Sequence, residues 1–515
     1  MLSAMNGQEE KPLDLFVVGG GINGAGIACD ATGRGLKVGL CEMNDFASAT
    51  SSASTKLIHG GLRYLEQYEF RLVREALKER EVLLAKAPHL SRPLRFVLPH
   101  EPHLRPRWLL RLGLFLYDHL NLHMTLPKSE SVDFHSSKYG VGLKPSFTKG
   151  FVYSDGWVDD ARLVVTNVKS ARDMGARIYA RHRCLRAVRS DDGQLWQIEL
   201  QVPDGAVVHL KARGLINATG PWVKRFLDDQ THIKTPKRVR LIKGSHIIVP
   251  RLHDGEHCFI LQNSDNRIVF VIPYEREFSL IGTTDIPVEP GEAPQCTPEE
   301  IAYLCEIANH YMAKTVSPGD VVWTYSGVRP LFDDGDDNPS AVTRDYHLEV
   351  DGAVGTAPLL SVFGGKITTY RKLAEHALED LRPHFPRMGG AWTAGKALSD
   401  GEFADAPTFE EAFDRFADGL ALVRPGLPRE LTRVLARRHG TGVDELLEGM
   451  RSVTDLGRHF GGQLYEREVR YLVAEEWAYE PDDVLWRRTK EGLHMTEAQR
   501  ADFAGWMREQ RPNAV

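Results

Sequence analysis

The glycine-rich turn at residues 19–24 constrains the fold more than any other feature of this sequence. It follows the apolar run 14–18 and reads Gly-Gly-Gly-Ile-Asn-Gly, with glycines spaced as in GxGxxG. The first glycine of that pattern permits a tight turn, the second lets backbone approach a pyrophosphate, and the third lets a helix pack closely on a strand. Small residues then continue at helical spacing to residue 35, and a second apolar run, 37–41, follows. This order predicts a Rossmann-like nucleotide-binding unit.

Glu42 ends the second apolar run, where a carboxylate would accept a hydrogen bond from a ribose hydroxyl. The N-terminus of the helix would meet the phosphates with oriented N–H groups and a partial positive charge. The glycine pattern alone does not separate FAD from NAD.

Bulk composition excludes several classes of protein. The chain has 515 residues, enough for about two to four domains, and a net charge of −6, which argues against a nucleic-acid-binding body. Six scattered cysteines without a CxxC pair favour reduced thiols, and we expect neither a disulfide framework nor a metal site. No apolar run reaches the roughly 18 residues of a membrane-spanning helix, and the polar N-terminus lacks the apolar core of a secretory signal.

Three further segments carry polar chemistry beside glycines. The segment 50–64, called here the 50–64 loop, is rich in serine and contains Gly60-Gly61 between His59 and Arg63, so it is suited to wrapping a planar ring. The segments 217–222 and 363–370 each follow an apolar strand with a small-residue turn, and the second also starts a helix. Together they favour a flavin over a nicotinamide.

At this point the sequence resembles a known family, the membrane-associated, FAD-dependent glycerol-3-phosphate dehydrogenases of aerobic respiration. The resemblance covers nearly the whole chain and rests on long ordered strings: VVGGGINGAGIA, TSSASTKLIHGGLRYLE, YSDGWVDDARL, INATGPWV, RLIKGSHIIVP, IGTTD, WTYSGVRPL, FGGKITTYRKLAEHAL and LWRRTK.

The resemblance implies an α/β fold like that of glycine and D-amino acid oxidases. We expect a Rossmann-like FAD-binding domain with an interleaved α+β substrate domain in 12–395, and an all-α C-terminal domain in 396–515. The expected FAD-binding segments are 12–90, 150–225 and 340–385, and the expected substrate-domain segments are 91–149 and 226–339.

The resemblance also implies the reaction and its setting. The expected reaction is oxidation of sn-glycerol 3-phosphate to dihydroxyacetone phosphate by hydride transfer to N5 of FAD, with electrons passed to ubiquinone. We expect a peripheral protein, a homodimer, on the anionic cytoplasmic face of the inner membrane.

The family motifs supply the expected site residues. Guanidinium and ammonium groups suit a phosphate because they form charge-assisted hydrogen bonds. The expected substrate-binding residues are Arg63, Tyr64, Arg329, Lys366 and Thr368. The expected cofactor-binding residues are Gly19, Gly21, Gly24, Glu42, Ser51, Ser52, Lys56, Leu57, His59, Gly60, Gly61, Thr219, Gly220, Gly364, Gly365, Lys366, Ile367 and Thr368.

Proton removal needs a base, and His246 in KGSHIIVP is the first candidate because an unperturbed imidazole titrates near pH 6.5. His59 is the second, although its place in the 50–64 loop suggests ring contact. Arg329 is expected to assist catalysis by lowering the pKa of the substrate hydroxyl.

The segment 89–124 carries five arginines interleaved with an apolar run from Trp108 to Tyr117. The run suits an amphipathic helix in the headgroup region, with the arginines on anionic lipid; the alternative is an ordinary core helix. The basic segment 486–490 is either a second lipid contact or, as we favour, a domain interface.

Other functions remain open at this point. A glycerol-3-phosphate oxidase would deliver electrons to oxygen, and an amino acid oxidase would bind a carboxylate instead of a phosphate. A non-enzymatic flavoprotein would bind FAD without turnover, and a nicotinamide dehydrogenase would be colourless.

Overall fold

The computed structural model of the chain describes residues 11–121, 124–265, 267–333 and 345–510, without the side chains of residues 63, 66 and 67. The strands are β1 (Leu13–Val18), β2 (Val38–Glu42), β3 (Leu57–Ile58), β4 (Ser91–Pro99), β5 (Glu130–Asp133), β6 (Lys149–Val158), β7 (Arg177–Ala180), β8 (Arg183–Arg189), β9 (Trp196–Gln201), β10 (Val207–Asn217), β11 (Arg238–Pro250), β12 (Cys258–Gln262), β13 (Ile268–Tyr274), β14 (Phe278–Gly282), β15 (Ile286–Pro287), β16 (Trp323–Asp333), β17 (His347–Asp351), β18 (Leu359–Phe363), β19 (His459–Gly461) and β20 (Leu464–Tyr465). The helices are α1 (Ile22–Gly33), α2 (Phe70–Lys86), α3 (Arg107–His119), α4 (Asp160–Asp173), α5 (Val223–Phe226), α6 (Pro298–Tyr311), α7 (Tyr370–Leu381), α8 (Phe409–Val423), α9 (Arg429–His439), α10 (Val443–Leu446), α11 (Glu466–Glu476) and α12 (Glu497–Gln510).

The first sheet has the strand order β17-β18-β10-β1-β2-β7, and β9 and β8 extend it from β10. Strand β1 lies in the middle, parallel to both β10 and β2, and α1 packs between α4 and α7 over one face. Parallel strands buried on both faces read as continuous apolar runs, as β1 and β2 do. The strand, turn, helix, strand unit predicted from the sequence is therefore β1, the glycine turn, α1 and β2.

The second sheet has the order β15-β11-β14-β13-β12-β4-β6-β3, with β16 paired to β11 and β5 paired to β6. Helix α6 contributes to the core on one face, and α2 and α3 contribute to the core on the other. Strand β6 pairs with β4 along its length, so residues 150–158 belong to this sheet although they fall within the 150–225 segment expected to bind FAD. The strand that pairs with β6 is distant from it in the sequence, so the apolar pattern of β6 alone does not show to which sheet it belongs.

The C-terminal part carries α8 to α12 and one small antiparallel hairpin, β19 with β20. Its apolar side chains form two clusters, one around α8 and α9 and one around α11 and α12. The expected helical C-terminal domain is confirmed, with the hairpin as an addition.

Helix α3 exposes four large apolar side chains: Trp108, Leu112, Phe115 and Leu116. Their spacing places them on one face of the helix, whereas Leu114 and Tyr117 are buried against the second sheet. Among the residues that the structure describes, no helix combines the length and apolar character needed to cross a bilayer.

The arginines of the segment 89–124 do not all lie on this helix. Arg92 and Arg95 belong to β4, where Arg92 lies over the ring of Trp157 and Arg95 pairs with Glu130 at 2.8 Å. The expectation of five lipid-facing arginines is therefore wrong for these two, because they lie on a strand of the second sheet and not on α3.

Candidate active site

The glycine turn has the geometry that a dinucleotide site requires. Gly19 has φ +113°, and an added Cβ would lie 2.5 Å from the carbonyl oxygen of Ala218, so neither the conformation nor the space admits another residue. Glu42 accepts hydrogen bonds from the backbone N–H of Gly20 and of Asn44, both at 2.8 Å. Burial raises the pKa of the Glu42 carboxyl, and these two N–H groups oppose the rise.

Two other segments meet the first turn of α1. The Ser51 hydroxyl accepts the N–H of Ile22 at 3.0 Å, and the Asn23 amide donates to the carbonyl of Gly364 at 3.1 Å. The other amide atom, Asn23 Oδ1, is buried with no hydrogen-bond partner among the described residues. Buried polar atoms are normally paired, so this acceptor fits a polar group of a bound cofactor. The 50–64 loop and the 363–370 turn thus converge on the glycine turn, as FAD binding requires.

The 50–64 loop is anchored by an ion pair between Lys56 in the loop and Asp160 in α4. Lys56 is buried, and its ammonium lies 2.7 Å from Asp160 and 3.0 Å from the carbonyl of Ser52. Asp160 also accepts from the backbone N–H and the hydroxyl of Ser54. Leu57 is buried where β3 pairs with β6. The charge of Lys56, expected at the cofactor, is therefore neutralised by Asp160 of α4 in this structure.

A second group of predicted residues meets at the end of β18. The Thr368 hydroxyl accepts the N–H of His59 at 3.3 Å, and the Lys366 ammonium lies 4.4 Å from the centre of the Tyr64 ring. The N–H of Gly60 donates to the hydroxyl of Tyr117 on α3 at 2.8 Å. The first two contacts bring the 50–64 loop onto the 363–370 turn, and the third brings it onto α3.

The remaining expected residues have simple placements. Gly61, Gly220, Gly364 and Gly365 adopt positive φ, Thr219 donates to Asn217 at 2.7 Å, and Ile367 opens the helical turn Ile367–Thr369. The side chain of Arg63 lies outside the described part of the chain.

The catalytic candidates lie on one face of the paired strands β11 and β16. His246 is opposite Tyr325, Gly244 opposite Gly327, and Ile242 opposite Arg329. Directly opposed residues share a face, and so do residues two apart. His246 and Arg329 are thus on the same face, with a pair of glycines between them. The 50–64 loop covers this face, since an added Cβ at Gly327 would lie 2.7 Å from Ala53 Cβ.

His246 is held tightly, with 2 % of its surface exposed. Its ring stacks on Tyr325 at 4.8 Å, and Nε2 lies 2.9 Å from the Thr55 hydroxyl. Its Nδ1 has no partner within the described residues. Burial, together with the charges of Lys56 and Arg329, holds the pKa of the imidazole well below its ordinary value of 6.5. The ring is therefore neutral at physiological pH.

Arg329 reaches back along the strand toward Gly244. Its Nη2 donates to the carbonyl of Thr284 at 2.9 Å and pairs with Asp285 at 2.6 Å. Both side chains of this pair are partly open to solvent, at 41 % and 49 %. The guanidinium is held in place and remains accessible to an anion.

Five residues of this site were not predicted from the sequence: Thr55, Gly244, Asp285, Tyr325 and Gly327. Each lies in a motif that carried the family resemblance. The two-residue spacing of strands was the available signal, since it groups Gly244 with His246 and groups Tyr325 and Gly327 with Arg329.

The fold and the site define a flavin-binding oxidoreductase. Residues 14–371 match the model of the family described as FAD dependent oxidoreductase, and residues 384–504 match that of the C-terminal domain of alpha-glycerophosphate oxidase.

Comparison with individual proteins shows which group within this family the chain belongs to. The aerobic glycerol-3-phosphate dehydrogenase of Escherichia coli is 52% identical over 96% of this chain and 97% of its own length. The D-erythritol 1-phosphate dehydrogenase of Brucella abortus is 50% identical over 97% of this chain and 98% of its own. The crystal structure of the Bacillus halodurans glycerol-3-phosphate dehydrogenase complexed with FAD is 27% identical with a TM-score of 0.72, over 97% of this chain and 95% of that one.

The chain therefore belongs to the group of FAD-dependent oxidoreductases that contains the bacterial glycerol-3-phosphate dehydrogenases. The expectations of this family, of its α/β fold and of FAD as the cofactor are confirmed.

Proposed function

We propose that this chain oxidises sn-glycerol 3-phosphate to dihydroxyacetone phosphate. The single observation that carries the proposal is the shared face of β11 and β16, where a neutral imidazole and a guanidinium flank a pair of glycines. A phosphorylated alcohol needs a cation for its phosphate and a proton acceptor for its hydroxyl. Arg329 and His246 supply the two, and the glycines leave room between them.

We assign the phosphate to Arg329, Lys366 and Arg63, with neutral donors from Tyr64 and Thr368. Lys366 already lies over the ring of Tyr64, at the end of the 50–64 loop. Arg329 contributes bidentate geometry, which fixes the orientation of the phosphate as well as its position. Fixing the phosphate fixes the neighbouring carbon and its hydroxyl against His246.

We assign proton removal to His246 Nδ1, the ring nitrogen left without a partner. Thr55 is positioned to hold Nε2, and the lowered pKa keeps the ring in its proton-accepting form. FAD, when bound, supplies the acceptor for the hydrogen removed from carbon. The alcohol would thus lose a proton from its oxygen to His246 and a hydride from its carbon to the bound cofactor, and these two losses account for its oxidation to a ketone. The cofactor contacts are assigned to the glycine turn, Glu42, and the predicted residues of the two converging segments.

The second candidate is D-erythritol 1-phosphate, a four-carbon polyol phosphate, because a dehydrogenase of that substrate is 50% identical to this chain. Anaerobic titration with each phosphate separates the two, since oxidation of a bound substrate bleaches the yellow flavin band. We expect glycerol 3-phosphate to bleach it at the lower concentration. Bleaching by neither phosphate would reject the proposal and favour a non-enzymatic flavoprotein.

The role of Arg329 is tested by Arg329→Ala in flavin-loaded enzyme. We expect kcat/KM to fall by about 100-fold or more, the scale of a lost charged clamp of about 3 kcal/mol. Arg189→Ala is the matched control, because Arg189 also pairs with an aspartate, Asp351, but does so on the first sheet. An unchanged kcat/KM in Arg329→Ala would remove this residue from the site.

We further propose ubiquinone as the electron acceptor and a peripheral position on the cytoplasmic face of the inner membrane. Support comes from the exposed apolar face of α3, where Trp108 is 70 % exposed and Phe115 is 49 % exposed. Arg105, Arg107 and Arg111 accompany this face, as in helices that lie in an anionic interface. Peroxide yield with and without a soluble quinone analogue distinguishes a dehydrogenase from an oxidase.

The membrane proposal is tested with Trp108→Asp combined with Phe115→Asp. We expect this variant to lose sedimentation with vesicles that contain phosphatidylglycerol while it retains FAD. The matched control is Leu422→Asp with Val423→Asp, which changes two apolar residues at the end of α8 that are at least as exposed as the α3 pair. Wild-type partition of the α3 variant would reject this helix as the anchor. The proposed homodimer is tested separately, by light scattering of the detergent-free protein.

A further inference from the structure

Five residues of the C-terminal domain that contact the oxidoreductase region near the glycine turn, the 50–64 loop and β16 are called here the C-terminal clamp: Trp477, Trp486, Arg487, Arg488 and Lys490. Arg488 is fully buried, and its guanidinium binds Asp45 bidentately, with both N···O distances 2.8 Å. Arg487 Nε binds the same carboxylate at 2.5 Å. Although burial alone would raise the pKa of Asp45, the charges of Arg488 and Arg487 hold it below its ordinary value. The basic segment 486–490 therefore forms a domain interface, the reading that we favoured from the sequence.

Asp45 belongs to the loop that is built onto the glycine turn. Ala47 N–H donates to the carbonyl of Gly20 at 3.1 Å. The ring of Phe46 packs so closely on Gly20 that an added Cβ would lie 2.5 Å from it. On its other side this ring meets Trp477 edge-on, with the ring centres 5.4 Å apart. Residues 45–47 thus lie directly between the clamp and the turn.

The rest of the clamp reaches two other parts of the site. Lys490 forms an ion pair with Asp159, the residue before Asp160, which anchors the 50–64 loop. Trp486 stacks on Trp323, with ring centres 3.8 Å apart, and Trp323 begins the strand that carries Arg329. One segment of the C-terminal domain is therefore tied to the glycine turn, to the 50–64 loop and to β16.

We propose that the C-terminal domain is a cofactor-retention element: the clamp fixes residues 45–47 against the glycine turn and thereby sets the affinity of the chain for FAD. The clamp residues act as positioning residues, through Asp45 and Phe46. Rigid loops bind more tightly because less ordering is required when the ligand arrives. The inference needs only FAD binding and does not depend on the assignment of the substrate.

The test is a double-mutant cycle on FAD affinity, measured by quenching of flavin fluorescence on the full-length apoprotein. We expect Arg488→Gln and Asp45→Asn each to raise the Kd for FAD by about tenfold or more, because each removes the bidentate ion pair between these two buried side chains. We expect the double variant to be no worse than the worse single one, since both act through one contact.

The control separates cofactor retention from general stability. Arg467 donates to the carbonyl of Leu446 at 2.7 Å and has its bonds within the C-terminal domain. We expect Arg467→Gln to leave the Kd for FAD unchanged whatever it does to Tm. The rise in Tm caused by FAD should shrink in the clamp variants and persist in the control, because that rise follows the ratio of ligand concentration to Kd.

Trp477→Leu keeps every ion pair, so it provides a second test if Arg488→Gln does not fold. We expect it also to raise the Kd for FAD, by freeing Phe46. A Kd within threefold of wild type in Asp45→Asn and in Trp477→Leu would overturn the proposal, as would effects that multiply in the double variant.

Discussion

Replacing Gly244 with alanine is a sharp perturbation of the proposed site because it adds one methyl group between His246 and Arg329. The new Cβ would lie 2.6 Å from Nη2 of Arg329 and 2.5 Å from the hydroxyl of Thr283. Both neighbours are side-chain ends that can move. The backbone carbonyl of Thr284 is farther away, at 3.2 Å. The methyl group is therefore accommodated by displacing the guanidinium.

The size of the effect follows from ordinary contact distances. Non-bonded heavy atoms prefer roughly 3.5–4.0 Å, so the guanidinium must retreat by about 1 Å. A misplacement of about 1 Å in a positioning group can cost about 100-fold in rate, or about 2.7 kcal/mol. Stability should change little, since alanine is favoured over glycine in a strand by roughly 0.5–1 kcal/mol, which offsets the strain.

The assay compares kcat/KM for glycerol 3-phosphate, the Kd for FAD and the unfolding midpoint. We expect Gly244→Ala to lower kcat/KM by about 100-fold while the Kd for FAD stays near wild type. Gly327→Ala is the matched variant on the opposing strand, and its methyl would press on Ala53 of the 50–64 loop. We expect it to weaken FAD binding instead. Equal effects of both variants on FAD, or full activity in Gly244→Ala, would refute the proposed face.

Three further predictions follow from buried or paired groups. Tyr117→Phe should lower the free energy of unfolding by about 1–3 kcal/mol in urea titrations, because the hydroxyl that bonds Asp155 at 2.8 Å and a backbone N–H of the 50–64 loop is lost; an unchanged midpoint would contradict this. Because the pKa of His246 is lowered, the protonation of this residue should not reduce kcat/KM between pH 6.5 and 8. Any fall in kcat/KM that it causes should appear only at lower pH, where the ring gains a proton. A fall in kcat/KM centred near pH 6.5 that disappears in His246→Gln would contradict this prediction. Asp285→Asn should tighten inhibition by inorganic phosphate roughly two- to fivefold by freeing Arg329 from an exposed ion pair, and weaker inhibition would show that Asp285 supports anion binding.

What the sequence predicts well is local. The glycine turn, the helix after it and Glu42 are within thirty residues of one another, and their order alone specifies a strand, a turn and a helix. The 363–370 turn is predicted on the same basis. In both places the motif and the structure that it forms involve the same residues, so no long-range pairing has to be known.

The sequence does not predict features that depend on the register of paired strands or on the ion-pair partners of charged side chains. The opposition of Gly244 and Gly327 follows from the pairing of β11 with β16, and a shift of one residue would place them on opposite faces. Lys56 looks like a free cation in a serine-rich loop, but a carboxylate 104 residues away, Asp160, neutralises it. Arg95 likewise reads as a lipid-facing charge until its ion pair with Glu130 is known.

The spacing on β11 bears on which alcohol the proposed site would oxidise. The guanidinium of Arg329 lies over Gly244, two residues along the strand from His246, a separation of about 7 Å. Side chains at this spacing project from the same face of the sheet, so Arg329 and His246 can bind the two ends of one small ligand that carries a phosphate and a hydroxyl on the adjacent carbon. That distance suits glycerol 3-phosphate and any longer polyol phosphate with the same first two carbons. Discrimination between substrates of three and four carbons must therefore come from groups beyond His246, away from the phosphate. Variants of Arg329 should weaken the binding of both substrates by the same factor.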